Sequence, residues 1–343
     1  MSFKILRKLP STETVKSEIP LPKEAINIKN KRDTLISDII TGSSDKFLVI
    51  IGPCSADNEE AVIEYTYRLA KLQNMYEKKL VFIPRIYTSK PRTTGIGYKG
   101  MIHQVTPTVI PNISDGIIAC RKLHIRSILE TGLTAADEIL YLENWSYFSD
   151  LISYATIGAR SVENQAHRFL ASGLDIPVRM KNPTSGNISI MLNSISAAQQ
   201  KQDFAYQGHE VLTNGNFLAH AILRGGINKY NDYMPNYHYE NLLELISLYD
   251  IYKVKNPAVI VDVNHSNSGK QFKEQIRIVK EILYTRQQDK KIYNIIKGVM
   301  VESYINEGNQ TVNGEYIYGK SITDACIGWK DTESLISTIA ENC

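Results

Sequence analysis

LVFIPRIYTSKPRTTGIGYKG, Leu80 to Gly100, joins two kinds of sequence. Its first residues, LVFI at 80–83, form an apolar run of the length of a buried strand. The remainder holds four cations, Arg85, Lys90, Arg92 and Lys99, and no acid. Thr88, Ser89, Thr93 and Thr94 lie among them, with glycines at 95, 97 and 100. Guanidinium forks, hydroxyls and free glycine N–H groups just past a strand are the ingredients of a phosphate site. A solvated basic loop has the same composition, so the reading turns on what surrounds it.

Working outward, the same pattern recurs. Apolar runs predict strands at 47–52, 80–86, 133–139, 154–159, 177–180, 219–223, 258–263 and 296–301. Helical periodicity falls between and after them, at 58–76, 114–130, 147–153, 162–171, 188–198, 237–252, 270–286 and 332–340. Asp57, Ser114 and Ser161 stand where N-caps belong. Eight strand–helix units over about 300 residues predict an α/β chain, a (β/α)8 barrel. A doubly wound sheet shares this periodicity and stays open as an alternative. The barrel domain takes residues 46–343, after a polar N-terminal arm, 1–45, with prolines at 10, 20 and 22 and one helical stretch at 31–40.

Each apolar run ends on a chemically useful residue: Cys54, Arg85, Glu138, Arg160, Lys181, Arg224, His265 and Glu302, in chain order. One such residue is ordinarily a surface group. In a parallel barrel all of these strand ends meet at one mouth. Cys54, His265 and Glu302, with Asp324 in GKSITDACIGW, offer one sulfur, one nitrogen and two oxygen donors. That set suits one catalytic divalent ion, Mn, Fe, Co or Zn, better than a structural zinc or a calcium cage. Taken alone, Cys54 reads as a small buried hydrophobe and His265 as a satisfied loop histidine. The cations Arg85, Lys90, Arg92, Lys99, Arg160, Lys181 and Arg224 would repel one another unless anions arrive. Two phosphorylated substrates, one also carrying a carboxylate, would supply the charge.

Composition excludes other classes. The chain has 343 residues, 43% hydrophobic and 22% charged, with a net charge of +3, which gives no reason to expect a nucleic-acid or membrane partner. There is no bilayer-length apolar run and no signal-peptide core near the start. Four cysteines without a CxxC spacing predict a reducing, cytoplasmic setting.

The blocks IGPCS, KPRTT, GYKG, IGAR, MKN, ILRGG, NHSNSGKQ, GVMVES, EGNQ and YGKSITDACIGW give the chain a specific likeness. From about residue 47 to 329 it resembles the type I 3-deoxy-D-arabino-heptulosonate 7-phosphate (DAHP) synthases. The resemblance implies condensation of phosphoenolpyruvate with erythrose 4-phosphate, the first step of the shikimate pathway to aromatic amino acids. It implies metal ligation by Cys54, His265, Glu302 and Asp324. It implies that Arg85, Lys99, Arg160, Lys181 and Arg224 hold phosphoenolpyruvate near Glu138, and that Lys90, Pro91, Arg92 and Thr93 hold erythrose 4-phosphate. Lys90, Glu138 and His265 are the candidate proton carriers, and a homo-oligomer, dimer or tetramer, is expected.

The related octulosonate 8-phosphate synthases, which carry an N-R-T-S signature where this chain has Lys90-Pro91-Arg92-Thr93-Thr94, are the nearest alternative. A class I aldolase using Lys181 as Schiff base and a non-catalytic sugar-phosphate sensor are alternatives of other classes. Against the family's feedback-inhibited members the chain departs at an outer pocket. Its arm is short, Trp145-Ser146 replaces a Pro-Gln step, Asp175 stands where Ser is common, and residues 203–208 read as too short for the usual hairpin. Weak or absent inhibition by phenylalanine, tyrosine and tryptophan is therefore expected.

Overall fold

The structure, a computed structural model, describes residues 2–312 and 314–343. Eight parallel strands build the centre: β1 Phe47–Gly52, β2 Leu80–Pro84, β3 Ala136–Glu138, β4 Tyr154–Ile157, β5 Val178–Lys181, β6 His220–Leu223, β7 Val259–Asp262 and β8 Ile296–Glu302. The sheet runs β2-β1-β8-β7-β6-β5-β4-β3. A parallel bridge between Arg85 and Ala136 joins its two ends, with Ile86 N donating to Ala136 O at 3.1 Å. The result is a (β/α)8 TIM barrel, as the alternating pattern predicts.

Strand parity sorts the side chains. Phe47, Val49 and Ile51 pack outward beneath the helices, in one apolar layer with Leu80 and Phe82. Leu48 and Ile50 point inward with Val81, Ile83, Ala136, Tyr154, Ile222 and Ile260. Continuing the inward phase past each apolar run reaches Arg85, Glu138, Lys181, Arg224 and Glu302 at the C-terminal end. The same alternation that fills the barrel thus carries its polar groups to the mouth.

The arm departs from the prediction of one short helix. It contains α1, Thr12–Glu18, capped by the Ser11 side chain, and α2, Lys23–Thr41, ended by Gly42 at φ +82°. The polar N-terminal half of α2 hides its periodicity. Ile36, Ile39 and Ile40 at its other end are buried in the cluster formed by the inward strand residues, so α2 closes the N-terminal end of the barrel.

Around the barrel run α3 Glu59–Tyr76, α4 Ile113–Thr131, α5 Leu142–Trp145, α6 Gln165–Ser172, α7 Ile188–Ala198, α8 Tyr239–Ile251, α9 Glu274–Gln288, α10 Lys290–Ile295 and α11 Trp329–Asn342. The helix expected at 147–153 is instead a chain of three-residue turns. Arg121 Nη1 takes the Tyr147 carbonyl at 2.9 Å, and Leu151 N bonds Phe148 O at 2.9 Å. The carbonyl that would open an α-helical turn is already engaged.

A second correction concerns residues 203–212. Asp203–Tyr206 pairs antiparallel with His209–Leu212. Gln207 at φ +50° and Gly208 at φ +77° form the two-residue turn that such ribbons favour. The hairpin judged too short is present. It walls an outer cavity of about 610 Å³ together with Thr12, Glu13, Lys16, Trp145 and Asp175.

Candidate active site

The basic loop lies over the mouth, where a cavity of about 330 Å³ is bounded by Arg85, Lys90, Arg92, Arg160, Lys181 and Arg224. Pro91, Thr93, Glu138, His265 and Asp324 complete the wall among the expected residues. Lys99 does not. It is exposed, and its carbonyl receives the Lys90 N–H at 3.0 Å. Gly100, at φ +102°, lets the loop fold back, because a Cβ there would collide with the Thr88 carbonyl.

At the cavity floor Arg85 is 1% exposed. Its Nη2 donates to Glu302 Oε1 at 2.9 Å, and its guanidinium lies 4.2 Å from the Tyr87 ring centre. Burial opposes its charge, but Tyr87 and Glu302 together hold it more firmly protonated than usual. Glu302 also receives Asn264 Nδ2 on Oε2 at 2.6 Å.

Beside this pair the donors gather. Ligand atoms of Cys54, Glu302 and Asp324 all lie within 4.8 Å of one another, with Cys54 Sγ 3.6 Å from Asp324 Oδ2. His265 stands at the edge of that set, Nε2 4.0 Å from Glu302 Oε1. Its backbone is left-handed at φ +44°, and Nδ1 lies 2.7 Å from Asp262 Oδ2. Burial first, then the Glu302 charge, pushes the Cys54 thiol up to about 11. A thiol and two carboxylates packed this closely fit a divalent cation, which would neutralise the carboxylates and hold sulfur as thiolate. Lys90 approaches the same cluster, donating to Cys54 Sγ at 3.0 Å and Cys54 O at 2.9 Å.

The opposite wall is built for anions. Arg224 is 7% exposed, and its Nη1 is buried with no hydrogen-bond partner. Burial lowers its pKa, so a bound anion would stabilise its charge. Lys181 Nζ is 3.5 Å from Asp262 Oδ2. Arg92 is aimed by its Nε, which donates to the Tyr98 carbonyl at 2.7 Å. Glu138 enters from β3 over Gly158, where any Cβ would collide with its Oε1. The glycine of IGAR makes room for this carboxylate.

Sequence reading missed Asp262, Asn264 and Lys270. Asp262 is fully buried and faces both His265 and Lys181; burial works against its charge, yet these two neighbours hold its pKa well below the carboxylate range. Its signal was available, since 260, 262 and 264 share the inward phase of β7. Lys270 lines the cavity from the turn after His265 at φ +62°, and only its place in NHSNSGKQ hinted at it.

Residues 22–337 match the DAHP synthetase I family. The chain belongs to that family. It is 39% identical over 344 aligned residues to the Phe-sensitive phospho-2-dehydro-3-deoxyheptonate aldolase of Escherichia coli K12, covering 98% of this chain and 92% of the relative. It is 40% identical over 313 aligned residues to the phospho-2-dehydro-3-deoxyheptonate aldolase of Haemophilus influenzae, covering 89% of this chain and 83% of the relative. The structure of the Francisella tularensis phospho-2-dehydro-3-deoxyheptonate aldolase superposes with a TM-score of 0.90 at 32% identity, over 99% of this chain and 98% of that one.

Proposed function

We propose that the chain condenses phosphoenolpyruvate with erythrose 4-phosphate, giving DAHP and inorganic phosphate. The observation that carries this is the meeting, over one cavity, of a thiol–carboxylate cluster and a buried guanidinium with an unpartnered donor. Arg224 Nη1 and Lys181 are aimed to receive the carboxylate and phosphate of phosphoenolpyruvate, with Arg160 at the rim. Lys90, Arg92 and Thr93 face the second phosphate. Holding both anions presents the methylene carbon of one to the aldehyde carbon of the other. Water then adds at the enol carbon, and the tetrahedral phosphate ester breaks its C–O bond to release phosphate.

Cys54, His265, Glu302 and Asp324 would hold a divalent ion, Mn, Fe, Co or Zn, whose contribution when bound is Lewis-acid polarisation of the aldehyde oxygen. Lys90, within reach of the cluster, is placed to move a proton at that oxygen. Asp262 fixes the His265 ring. Lys181 is salt-bridged to the buried Asp262 rather than set in an apolar pocket, which favours the metal-assisted reading.

Phosphate release should require erythrose 4-phosphate, fall sharply with arabinose 5-phosphate, stop with chelator and return with Mn. Release indifferent to the aldose or to chelator overturns the reading. Among the described residues no helix is long and apolar enough to cross a membrane, and all four cysteines are free. The cytoplasmic setting expected from the cysteine pattern is kept as part of this proposal; the expected dimer or tetramer is open to sedimentation.

The outer cavity retains Glu13 and Asp175, which would repel an effector's carboxylate, while Lys16 is engaged by Asp150 at 3.6 Å. We keep the expectation of weak inhibition by aromatic amino acids on that charge balance, without the lost-hairpin argument. Initial rates titrated with each amino acid test it. Strong inhibition by one, relieved by Asp175→Ser or a change at Trp145, overturns it.

A further inference from the structure

The end of the barrel remote from the mouth holds a second cavity, of about 280 Å³. Lys46 lies one residue before β1, Asn256 three residues before β7, and Lys297 is the second residue of β8, so the cavity sits at the strands' N-terminal ends. Arg286 reaches it from α9, and Tyr293 from α10. Nothing in the mouth chemistry uses these groups.

Two of them are incompletely satisfied in a way proteins avoid. Arg286 is 5% exposed, stacked 3.8 Å from the Tyr293 ring centre and 5.2 Å from that of Phe47, and its Nε has no hydrogen-bond partner. Asn256 is also 5% exposed, and its Nδ2 is buried without a partner. Each orphaned donor carries a desolvation cost that a bound acceptor would remove. They reach the cavity from different elements, so one local distortion does not explain both.

The charge balance points the same way. Lys46, Arg286 and Lys297 face one carboxylate among the described lining residues, Asp45, which is exposed. That leaves two positive charges in excess. Lys297 Nζ is crowded against the left-handed turn at Gly42, where an added Cβ would come within 3.1 Å of it. Burial and the Arg286 charge both lower the Lys297 pKa, and burial lowers that of Arg286. Two partly desolvated cations held close together are stabilised by an anion between them.

We propose that this cavity is a second anion site, which takes a phosphate group on Arg286, Lys297 and the Asn256 amide. A phosphate monoester or inorganic phosphate brings about two negative charges near neutral pH, matching the excess. Its several oxygens can accept from guanidinium, ammonium and amide at once. The volume is below that of sites for drug-sized ligands, so a small ion or the phosphate end of a small metabolite fits.

The test is calorimetric titration of the full chain with inorganic phosphate, glycerol 3-phosphate and malonate. Because the mouth also receives phosphate, the titrations are repeated in Arg224→Ala. The bottom site should survive in Arg224→Ala, weaken at least tenfold in Lys297→Met and in Asn256→Ala, and prefer either phosphate ligand to malonate. Tighter binding of glycerol 3-phosphate than of inorganic phosphate would mark an esterified ligand; the reverse would mark the free ion. Lys297 is only partly buried, so its substitution keeps the fold, and phosphoenolpyruvate turnover in Lys297→Met should equal that of the native chain. Loss of all phosphate binding in Arg224→Ala, unchanged binding in Lys297→Met, or equal affinity for malonate each overturns the proposal; the first would mean that water alone fills the cavity.

Discussion

Arg85 and Arg286 lie at opposite ends of one barrel, both buried and both stacked on a tyrosine, at 4.2 Å from Tyr87 and 3.8 Å from Tyr293. Arg85 has a carboxylate 2.9 Å away; Arg286 Nε has no partner. An aromatic face thus lies against a buried guanidinium in either place, but it does not fix what the guanidinium is for. At the mouth the partner Glu302 turns Arg85 into a rigid floor for chemistry. At the other end the missing partner leaves a donor open.

The largest expected effect comes from removing that partner. Glu302→Gln keeps the shape, takes one member from the donor cluster and leaves Arg85 buried without its counter-ion. Turnover should fall by about 10³-fold or more, and the denaturant midpoint should drop by the equivalent of about 3–5 kcal/mol. Native-like stability would show that Arg85 needs its carboxylate no more than Arg286 does.

Next comes Asp262→Asn, which leaves the proposed ligands in place and removes the group that faces His265 and Lys181. Metal affinity, read by titrating Mn into stripped protein, should weaken by about 10–100-fold. Unchanged affinity would place His265 outside the metal set.

pH separates two buried acids near the mouth. Asp262, held below the carboxylate range by His265 and Lys181, adds stability that is complete above its unfolded pKa and fades only in strong acid. Asp57 is the opposite case: burial pushes it up to about 7. The folded chain binds its proton more tightly than the unfolded chain, so stability at this site falls as pH rises from about 4, levelling off above about 7. In Asp57→Asn, denaturant curves across that window should show a flatter slope than in the native chain.

The smallest effect belongs to the far end. Without phosphate, Lys297→Met should change stability by no more than about 0.5 kcal/mol and leave turnover alone. A marked loss of turnover would couple the two ends and break the comparison.

Much of the mouth was legible because one rule, an apolar run ending on a polar residue, repeats eight times, and parity points Arg85, Glu138, Lys181, Arg224 and Glu302 to the same place. Asp262 escaped because it sits inside its apolar run, where an acid reads as an interruption. That Lys99 does not line the cavity was not legible, because a loop of alternating glycines has no period from which to infer which cations face inward. The Gln207-Gly208 turn escaped because glutamine is not a residue that announces a left-handed turn. The far cavity left no trace in sequence: Lys46, Asn256, Arg286 and Lys297 belong to four segments and share no motif.

The helix α2 gives the arm a meaning its polar composition conceals. Ile36, Ile39 and Ile40 are fully buried against the inner faces of the strands, so the barrel has a lid on its underside made from residues that precede it. Trimming the chain at residue 45 would uncork an apolar bore and expose Leu48, Ile50 and Ile260 to water. The arm helix is thus part of the barrel's core rather than an appendage to it.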